Sequence, residues 1–298
     1  MNIQTFQKAI LDWFRKNGRH DLPWRQTTNP YRILVSEIML QQTQVDRVRL
    51  KYKEFLKHFA TPKKLAAASL AEVLAVWKGL GYNRRALYLK RAAEMIMRDF
   101  AGRFPREVSE IEKLPGVGPY TARAVAVFAF NQPHVFIETN IRRVFIHFFF
   151  SLRHPERSER SRLSRDSSPV ARNDISDKEL MPYVEKALYA ENPRLWYSAL
   201  MDYGALALSA IPNPNRQSRH YTKQSRFQGS RRYARAKILD FLLKHSHASL
   251  PLLQEFFQTD IHLDAYIEKP VLLSILTDLY KEGFLTKKKS FWSLVTKP

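Results

Sequence analysis

The sequence predicts a mainly α-helical protein that ends in a small winged-helix-like domain. Apolar residues recur at spacings of three and four from about residue 5 to residue 150 and again over residues 176–207, which is the pattern of amphipathic helices. Residues 229–298 instead carry shorter helical patterns followed by a candidate β-hairpin. We therefore expect one helical region over residues 1–228 and a second domain over residues 229–298.

Start and stop signals divide the first region into helices. Thr61 and Ser69 stand where helix N-caps are expected, the latter with Glu72 at the spacing of a capping box. The glycines of Gly79-Leu80-Gly81 end the helix that Ser69 opens. Further helices are predicted near residues 84–99, 108–113 and 119–130.

A segment at about residues 153–173 interrupts this helical pattern. It consists mainly of Arg, Ser, Glu, Pro and Asp, with almost no large apolar residues and no period. Such a composition does not bury enough apolar surface to fold, so we predict a disordered insertion loop on the surface.

The second domain combines helical patterns with a hairpin. Phe284 to Thr286 and Ser290 to Val295 read as strands around a basic turn at residues 287–289. Helical patterns precede them at residues 234–244, 250–257 and 271–282. Winged-helix domains bind DNA or contact proteins, and the sequence leaves both roles open.

The charge balance favours a polyanionic partner such as nucleic acid. The chain holds 49 Lys and Arg against 28 Asp and Glu, a formal net charge of +21, although a solvated basic surface would give the same count. No acidic residue occurs between Tyr203 and Leu239. The basic residues of this stretch are interspersed with the aromatic residues Tyr221, Phe227 and Tyr233. This stretch, centred on residues 212–232, is either a flexible linker or a segment that follows a DNA backbone.

Composition also excludes several classes of protein. No run reaches the roughly 20 apolar residues of a membrane span, and the first residues do not resemble a signal peptide, so we expect a cytoplasmic, nucleoid-associated protein without membrane contact. The absence of cysteine excludes disulfides, thiolate zinc sites and cysteine-ligated iron–sulfur clusters.

For the oligomeric state, we expect a monomer.

The run Leu114 to Ala122 contains a candidate phosphate-binding turn. Gly116 and Gly118 permit backbone conformations and a close approach that a Cβ would prevent, so their N–H groups and that of Val117 can face an anion. Pro119 suits the first turn of a helix, whose N-terminus favours negative charge. A plain helix–helix connection is the alternative. The hairpin is also a candidate site for a monovalent cation.

Two carboxylates are candidates for cleavage of a glycosidic bond. Glu37 lies among apolar residues in a helical pattern, and burial would raise its pKa and let it act as a general acid. Glu138 precedes a basic helix and could balance an oxocarbenium-like centre. The alternatives are an ordinary capping or salt-bridged Glu37 and a Glu138 that only complements a helix N-terminus. Gln41 and Gln42 both donate and accept hydrogen bonds, as reading a base edge requires.

Several ordered motifs together resemble one known family. They are Leu22-Pro23-Trp24-Arg25, Pro30-Tyr31, Ser36-Glu37-Ile38-Met39-Leu40-Gln41-Gln42-Thr43-Gln44-Val45, Trp77-Lys78-Gly79-Leu80-Gly81-Tyr82 and Leu114-Pro115-Gly116-Val117-Gly118-Pro119-Tyr120-Thr121-Ala122. Over about residues 5–208 the chain resembles the MutY-type adenine DNA glycosylases of the helix-hairpin-helix superfamily. Gln41-Gln42-Thr43-Gln44 is the most discriminating segment.

The resemblance implies a hydrolytic mechanism. Glu37 matches the acid that protonates adenine N7, and Glu138 matches the acid that stabilises the oxocarbenium ion before water adds at C1′. Asn140 belongs to the same catalytic set. Tyr120 stands where bifunctional members of the superfamily carry a Schiff-base lysine, which implies base release without strand cleavage.

The resemblance also implies contacts with a flipped base. Tyr82 matches a residue that wedges into the duplex. Trp24, Arg25, Gln41 and Gln42 match residues around the extruded adenine or the base opposite it. Flipping brings a stacked adenine into a pocket at a cost of a few kcal/mol.

The chain departs from the family at informative places. Glu138-Thr139-Asn140 replaces the usual Asp-Gly-Asn, and Asn83 replaces a second tyrosine. Leu208 takes the place of the first of four cysteines that usually hold a [4Fe-4S] cluster. We therefore expect a variant without a cofactor, in which the basic stretch from Arg216 to Lys237 supplies the DNA contacts that the loop around the cluster usually makes. Residues 229–298 are also too few for the usual 8-oxoguanine-sensing domain.

The sequence therefore predicts an enzyme that removes adenine mispaired with guanine or 8-oxoguanine. A thymine or uracil mismatch glycosylase is the second interpretation, against which Gln41-Gln42-Thr43-Gln44 argues. A noncatalytic DNA-binding protein is the third, which Glu138-Thr139 would favour if it marks decay of the site.

Overall fold

The computed structural model describes residues 2–150, 175–222 and 226–295. Within these residues the mainly α-helical prediction is confirmed. The predicted insertion loop at residues 153–173 lies outside the described residues. None of the helices in the described part is long and apolar enough to cross a membrane.

The helices of the first region follow the chain as predicted. They are α1 Ile3–Asn17, α2 Pro30–Leu40, α3 Val45–His58, α4 Pro62–Ala67, α5 Leu70–Trp77, α6 Arg84–Asp99, α7 Val108–Ile111, α8 Pro119–Phe130, α9 Thr139–Phe145, α10 Asp177–Lys186 and α11 Pro193–Ala205. A π-helical turn, Ile146–Phe150, continues α9, and 3-10 turns follow α11 at Ala207–Ala210 and Pro214–Gln217.

The start signals act as the sequence predicts. Thr61 accepts a hydrogen bond from the Lys64 backbone at the start of α4. Ser69 and Glu72 form the complete capping box of α5, in which each side chain bonds the other residue's backbone N–H. Helix α5 ends just before the predicted glycine stop.

Contacts divide the chain into two compact units. The first unit comprises Met1–Leu34, Arg106–Glu112 and Val117–Lys223. The second unit comprises Val35–Pro105, Lys113–Gly116 and Gln224–Pro298. The proposed boundary between residues 228 and 229 remains a prediction.

The core of the first unit is aromatic. Helix α11 packs against α1 and α9, and the Phe6 ring meets the rings of Phe145 and Trp196 edge to face at 5.3 and 5.7 Å. Gly204 on α11 lies so close to the backbone of Asn140 that a Cβ would overlap it. This close approach fixes α11 against the beginning of α9.

The second unit packs α4 and α5 against α6. Lys90 on α6 donates to the Ala66 carbonyl at 3.1 Å, which satisfies a carbonyl in the last turn of α4. The ammonium of Lys90 also pairs with Glu94. A lysine is therefore buried in this unit because both partners are supplied.

Residues 226–295 have the element order of a winged helix. The elements are α12 Arg231–His245, β1 His247–Ser249, α13 Leu250–Gln258, a 3-10 turn at Ile261–Tyr266, α14 Lys269–Glu282, β2 Leu285–Lys288 and β3 Phe291–Leu294. The antiparallel sheet has the order β1-β3-β2. The predicted hairpin is present, whereas β1, with only three residues, was not predicted from the sequence.

Candidate active site and nucleic-acid interface

The sequence-predicted site residues are distributed over both units. The first unit contains Trp24, Arg25, Val117, Gly118, Tyr120, Glu138 and Asn140, and the second contains Glu37, Gln41, Gln42, Tyr82 and Gly116. The two candidate carboxylates therefore belong to different units, and each has its own local support.

Glu37 is buried near the end of α2. Only 8% of its surface is exposed, and its neighbours Ser36 and Ile38 are buried as well. The apolar sequence of α2 explains this burial, because almost the whole circumference of its last turns faces protein. The partly desolvated carboxyl that the sequence predicts is therefore present.

Arg85 organises the chain that follows Glu37. Its Nη1 donates to the carbonyls of Ile38, Met39 and Gln41 at 2.9, 2.8 and 2.6 Å. The last carbonyls of a helix have no partner within the helix, so a guanidinium at this position satisfies them. Burial lowers the pKa of Arg85 to about 10, which leaves it charged at neutral pH. Arg85 was not identified from the sequence.

The same guanidinium holds the loop that carries Tyr82. Nη2 donates to the carbonyls of Leu80 and Gly81, each at 3.0 Å, and to Thr43 Oγ1 at 3.1 Å. Arg85 thus joins the turn after α2 to the loop between α5 and α6. These two segments contain Gln41, Gln42 and Tyr82, three of the residues predicted to contact DNA.

Both segments contain a non-glycine residue in the left-handed region. Gln42 has φ 54° and Tyr82 has φ 48°. Such conformations cost roughly 1 kcal/mol or more each and concentrate at functional sites. The Tyr82 ring lies 5.5 Å from the Arg85 guanidinium and 5.0 Å from that of Arg232, which also donates to the Tyr82 hydroxyl. Tyr82 is therefore held in a defined position by two guanidinium groups.

The backbone conformation and the surroundings of the two hairpin glycines are different. Gly116 has φ 79°, and a Cβ there would lie 2.7 Å from the Cβ of Tyr88. Gly118 is extended, with φ −94° and ψ 178°, and a Cβ would meet no protein atom within 4 Å. Gly118 is the N-cap of α8 and Pro119 its first residue. The fold thus requires glycine at 116, whereas at 118 glycine leaves space in front of a helix N-terminus.

We expect Gly116→Ala to affect stability and Gly118→Ala to affect DNA binding. Gly116→Ala should lower the free energy of unfolding by about 1–3 kcal/mol because of its positive φ and the overlap with Tyr88. Gly118→Ala should leave stability nearly unchanged but weaken DNA binding, because the new methyl group occupies the approach to the α8 N-terminus. Urea denaturation and duplex titration of both variants measure this. Equal DNA affinity of Gly118→Ala and the unaltered protein would contradict phosphate binding at this turn.

Glu138 caps α9 with one carboxylate oxygen, and its other oxygen accepts from a side-chain amide. Oε1 accepts hydrogen bonds from the backbone N–H groups of Asn140 and Ile141 at 2.7 and 2.9 Å, and Oε2 accepts from Asn140 Nδ2 at 3.2 Å. Burial raises the pKa of Glu138, while these hydrogen bonds and the charge of Arg142 oppose that effect. A carboxylate has about four acceptor positions, so capping leaves some for a further partner.

Asn215 supports the start of α9 from the basic segment. Its Nδ2 donates to the Thr139 carbonyl at 2.9 Å, and its side chain is buried. Ser218 follows and pairs with Ile175 in an isolated β-bridge. The first part of the predicted linker at residues 212–232 is thus packed against the segment that holds Glu138. Asn215 had no signal in the sequence.

Tyr120 lines an open cavity of about 360 Å³ in the first unit. Its ring meets Phe136 edge to face at 5.4 Å. Asp177, also at this cavity, pairs with Arg142 through bonds of 2.7 and 2.8 Å. A phenol carries no amine with which to form a Schiff base.

Arg25 is engaged by a buried aspartate. Its Nη1 and Nη2 contact the two oxygens of Asp202 at 2.6 and 2.9 Å, and Arg19 pairs with the same carboxylate. Burial alone would raise the pKa of Asp202, but the bonds and charge of Arg25 and the bonds of Arg19 outweigh burial and hold that pKa below its usual value. Arg25 therefore has a structural role, and its DNA contact stays a prediction, as does that of the half-buried Trp24.

The residues at the expected cluster site do not fit an iron–sulfur cluster. Leu208, at the place of the first cluster cysteine, packs into the apolar core of the first unit, and the sequence contains no cysteine. Thiolates are the ligands that hold such clusters. Among the described residues, no group of three His, Asp or Glu side chains is arranged to hold a metal ion.

Part of this chain is similar in sequence to known DNA repair proteins. Residues 35–169 match the family model described as "HhH-GPD superfamily base excision DNA repair protein". An adenine DNA glycosylase from Buchnera aphidicola is 41% identical over 149 residues, which are 50% of this chain and 42% of the relative. One from Mycobacterium tuberculosis is 38% identical over 202 residues, which are 67% of this chain and 61% of the relative.

Other relatives carry a different name. A thymine/uracil-DNA glycosylase from Pyrobaculum aerophilum is 37% identical over 145 residues, covering 48% of this chain and 63% of the relative. The solved structure of a thermostable thymine-DNA glycosylase is similar with a TM-score of 0.58 and 28% identity, over 71% of this chain and 90% of that one. The chain thus spans about two fifths to three fifths of the length of the curated relatives described above.

Proposed function

From the match of residues 35–169 to the HhH-GPD superfamily of base excision DNA repair proteins, we propose that this chain is a monofunctional adenine DNA glycosylase. Its substrate is duplex DNA with adenine opposite guanine or 8-oxoguanine. The observation that carries the proposal is the buried Glu37 on α2, followed at once by the Gln41-Gln42-Thr43-Gln44 turn that Arg85 fixes.

Glu37 supplies the proton for the leaving group. The carboxylic acid donates its proton to N7 of the extruded adenine, the bond between C1′ and N9 breaks, and its electron pair goes to the purine. The Glu37 residue is only 8% exposed, so little bulk water competes with the base for this proton. Adenine then leaves as the neutral base.

Glu138 stabilises the positive charge that remains on the sugar. Its carboxylate has oxygens fixed by Asn140 and Ile141, so it needs no reorganisation when the oxocarbenium ion forms. Water adds at C1′ and loses a proton, which leaves an abasic site. Asn140 is a positioning residue in this scheme, because its amide holds Glu138 Oε2.

The presence of Tyr120 supports hydrolysis without strand cleavage. A lyase step requires an amine that attacks C1′, and the phenol of Tyr120 cannot form that covalent imine. We expect borohydride to trap no covalent complex with the substrate duplex. A trapped complex would contradict the monofunctional assignment.

Glu138 should determine the acid side of the pH profile. The carboxyl must be ionised to stabilise the cation, and burial raises its pKa above the ordinary value of 4.5. We therefore expect the single-turnover rate to fall as the pH decreases through that raised pKa. The same shift means that the folded state holds this proton more tightly than the unfolded state, so its contribution to stability declines as the pH rises. Rates that stay constant down to about pH 4.5 would contradict this role.

Glu138→Gln provides the control for this profile. The amide preserves the shape of the cap and does not ionise, so the residual rate should be low and should lack the acid limb attributed to Glu138. An unchanged acid limb in Glu138→Gln would assign that ionisation to another group.

A thymine or uracil mismatch glycosylase is the second candidate function. The 37% identity to a thymine/uracil-DNA glycosylase favours it. The polar turn at Gln41-Gln42-Thr43-Gln44 favours adenine, because an amide pairs with adenine through both a donor and an acceptor.

The partner that we propose is mismatched double-stranded DNA, bound by a monomer in the compartment that contains the chromosome. The net charge of +21 supports this partner through attraction to phosphate. Incubation with a duplex holding a single A:8-oxoguanine pair, followed by chromatography, tests the proposal. Free adenine and a strand that breaks only after alkali are expected, and release of no base would overturn it.

A further inference from the structure

The second unit contains an open cavity of about 590 Å³ that is lined by none of the candidate catalytic residues Glu37, Glu138, Tyr120 and Asn140. One wall is formed by the turn after α2 and the loop before α6, with Gln42, Gln44 and Tyr82. The other wall is formed by the start of the winged-helix-like region, with Phe227, Arg232 and Tyr233. The cavity volume is in the range of sites that bind small organic groups.

The second wall presents aromatic side chains in a fixed arrangement. The Phe227 and Tyr233 rings meet edge to face at 5.4 Å. The Tyr233 hydroxyl donates to Asp260 at 2.6 Å, and Lys237 pairs with the same carboxylate at 3.0 Å. Phe227 remains 47% exposed, so it offers an apolar surface without further rearrangement. Aromatic surfaces of this kind stack nucleic-acid bases regardless of sequence.

The cavity is also polar and positively charged. Arg47, Lys78, Arg232 and Lys237 line it together with one acidic residue, Asp240. Lys78 approaches Asp240 at 3.9 Å, which leaves the lining with a net positive charge. The exposed amides of Gln42 and Gln44 supply donors and acceptors at the opposite wall. Aromatic surface, amides and cations in one cavity are complementary to a nucleotide.

We propose that this cavity receives one unstacked nucleotide of the bound DNA. Its base packs against Phe227, its edge meets the amides of Gln42 and Gln44, and its phosphate is neutralised by Arg232. The proposal rests on the proposed function only in that the ligand is duplex DNA. It assigns the winged-helix-like region a direct part in holding an extruded nucleotide, because one wall of the cavity belongs to that region.

Photochemical crosslinking tests the position of this nucleotide. Duplexes that carry 5-iodouracil at successive positions around a non-hydrolysable adenine analogue are bound to the whole protein and irradiated. Mass spectrometry then locates the attached peptide. Attachment to Phe227 or Tyr233 from one position of the duplex is expected. Attachment only to residues outside the cavity, or none at any position, would overturn the proposal.

Matched variants separate the cavity from general attraction to DNA. Phe227→Leu should weaken duplex binding by about tenfold, the loss expected for one base stack. Phe291→Leu, which changes a similarly exposed phenylalanine on β3 outside the cavity, should bind as the unaltered protein does. Arg232→Ala should likewise lose more affinity than Lys244→Ala, which removes an exposed charge from the same helix. Equal affinities within each pair would contradict the assignment.

These results are independent of catalysis. If the protein releases no adenine but crosslinks through Phe227, the cavity proposal stands and the proposed enzymatic function fails. If it releases adenine but no cavity residue crosslinks and Phe227→Leu binds like Phe291→Leu, the enzymatic function stands and the cavity proposal fails.

Discussion

Glu37→Gln is expected to reduce adenine release by about 10²- to 10⁴-fold, the usual contribution of a general acid, while duplex binding is retained. The amide has the size of the carboxylic acid but carries no proton acidic enough for adenine N7. Because Glu37 is buried within the last turns of α2, a neutral isostere should also be tolerated by the fold. Single-turnover base release and duplex titration measure the two effects separately.

Glu54→Gln is the control for this substitution. Glu54 is an exposed residue of α3 that pairs with Lys51 at 2.8 Å, so the same chemical change there should leave base release unaltered. Base release by Glu37→Gln at the rate of Glu54→Gln would remove Glu37 from the mechanism.

Asp202→Ala should produce a large loss of stability, about 3–5 kcal/mol in the free energy of unfolding. The Asp202 side chain is completely buried and accepts hydrogen bonds from both Arg25 and Arg19. Its removal leaves the partly buried guanidinium of Arg25 without its carboxylate, which costs far more than the loss of an exposed pair. Urea denaturation at neutral pH measures the change.

Asp278→Ala provides the comparison for this prediction. Asp278 pairs with Arg231 at 2.6 Å, but both side chains are more than two fifths exposed. Exposed ion pairs of this kind contribute about 0–1 kcal/mol to the free energy of unfolding. Because the pKa of Asp202 is lowered, the stability that its charge contributes is present near neutral pH and is lost as the pH falls through that lowered value. Equal unfolding free energies for the two variants would contradict the structural role of Asp202.

The sequence was sufficient for features that depend on neighbouring residues. The capping box of Ser69, the stop before Gly79 and the left-handed turn at Gly116 each follow from a few adjacent side chains. Burial of Glu37 followed from the apolar pattern of α2, and the position of Glu138 at a helix start followed from the basic helix after it. Local propensity and periodicity encode these features directly.

Features built by distant residues could not be predicted in this way. Arg85 lies more than forty positions from the carbonyls of Ile38, Met39 and Gln41 that it bonds, and Asp202 lies 177 positions from Arg25. Asn215 reaches back 76 positions to Thr139. No spacing rule marks such partners, because only the fold brings them together. The ion pair with Asp202 gives Arg25 a structural role that the sequence did not indicate, while its DNA contact stays a prediction.

Single-turnover base release from four duplexes tests the central claim most directly. The duplexes contain A:8-oxoguanine, A:G, T:G and U:G pairs and are otherwise identical. We expect release of adenine from the first two, no release from the last two, and loss of adenine release in Glu37→Gln. Release of thymine or uracil with no release of adenine would contradict the account, and so would release of no base from any of the four duplexes.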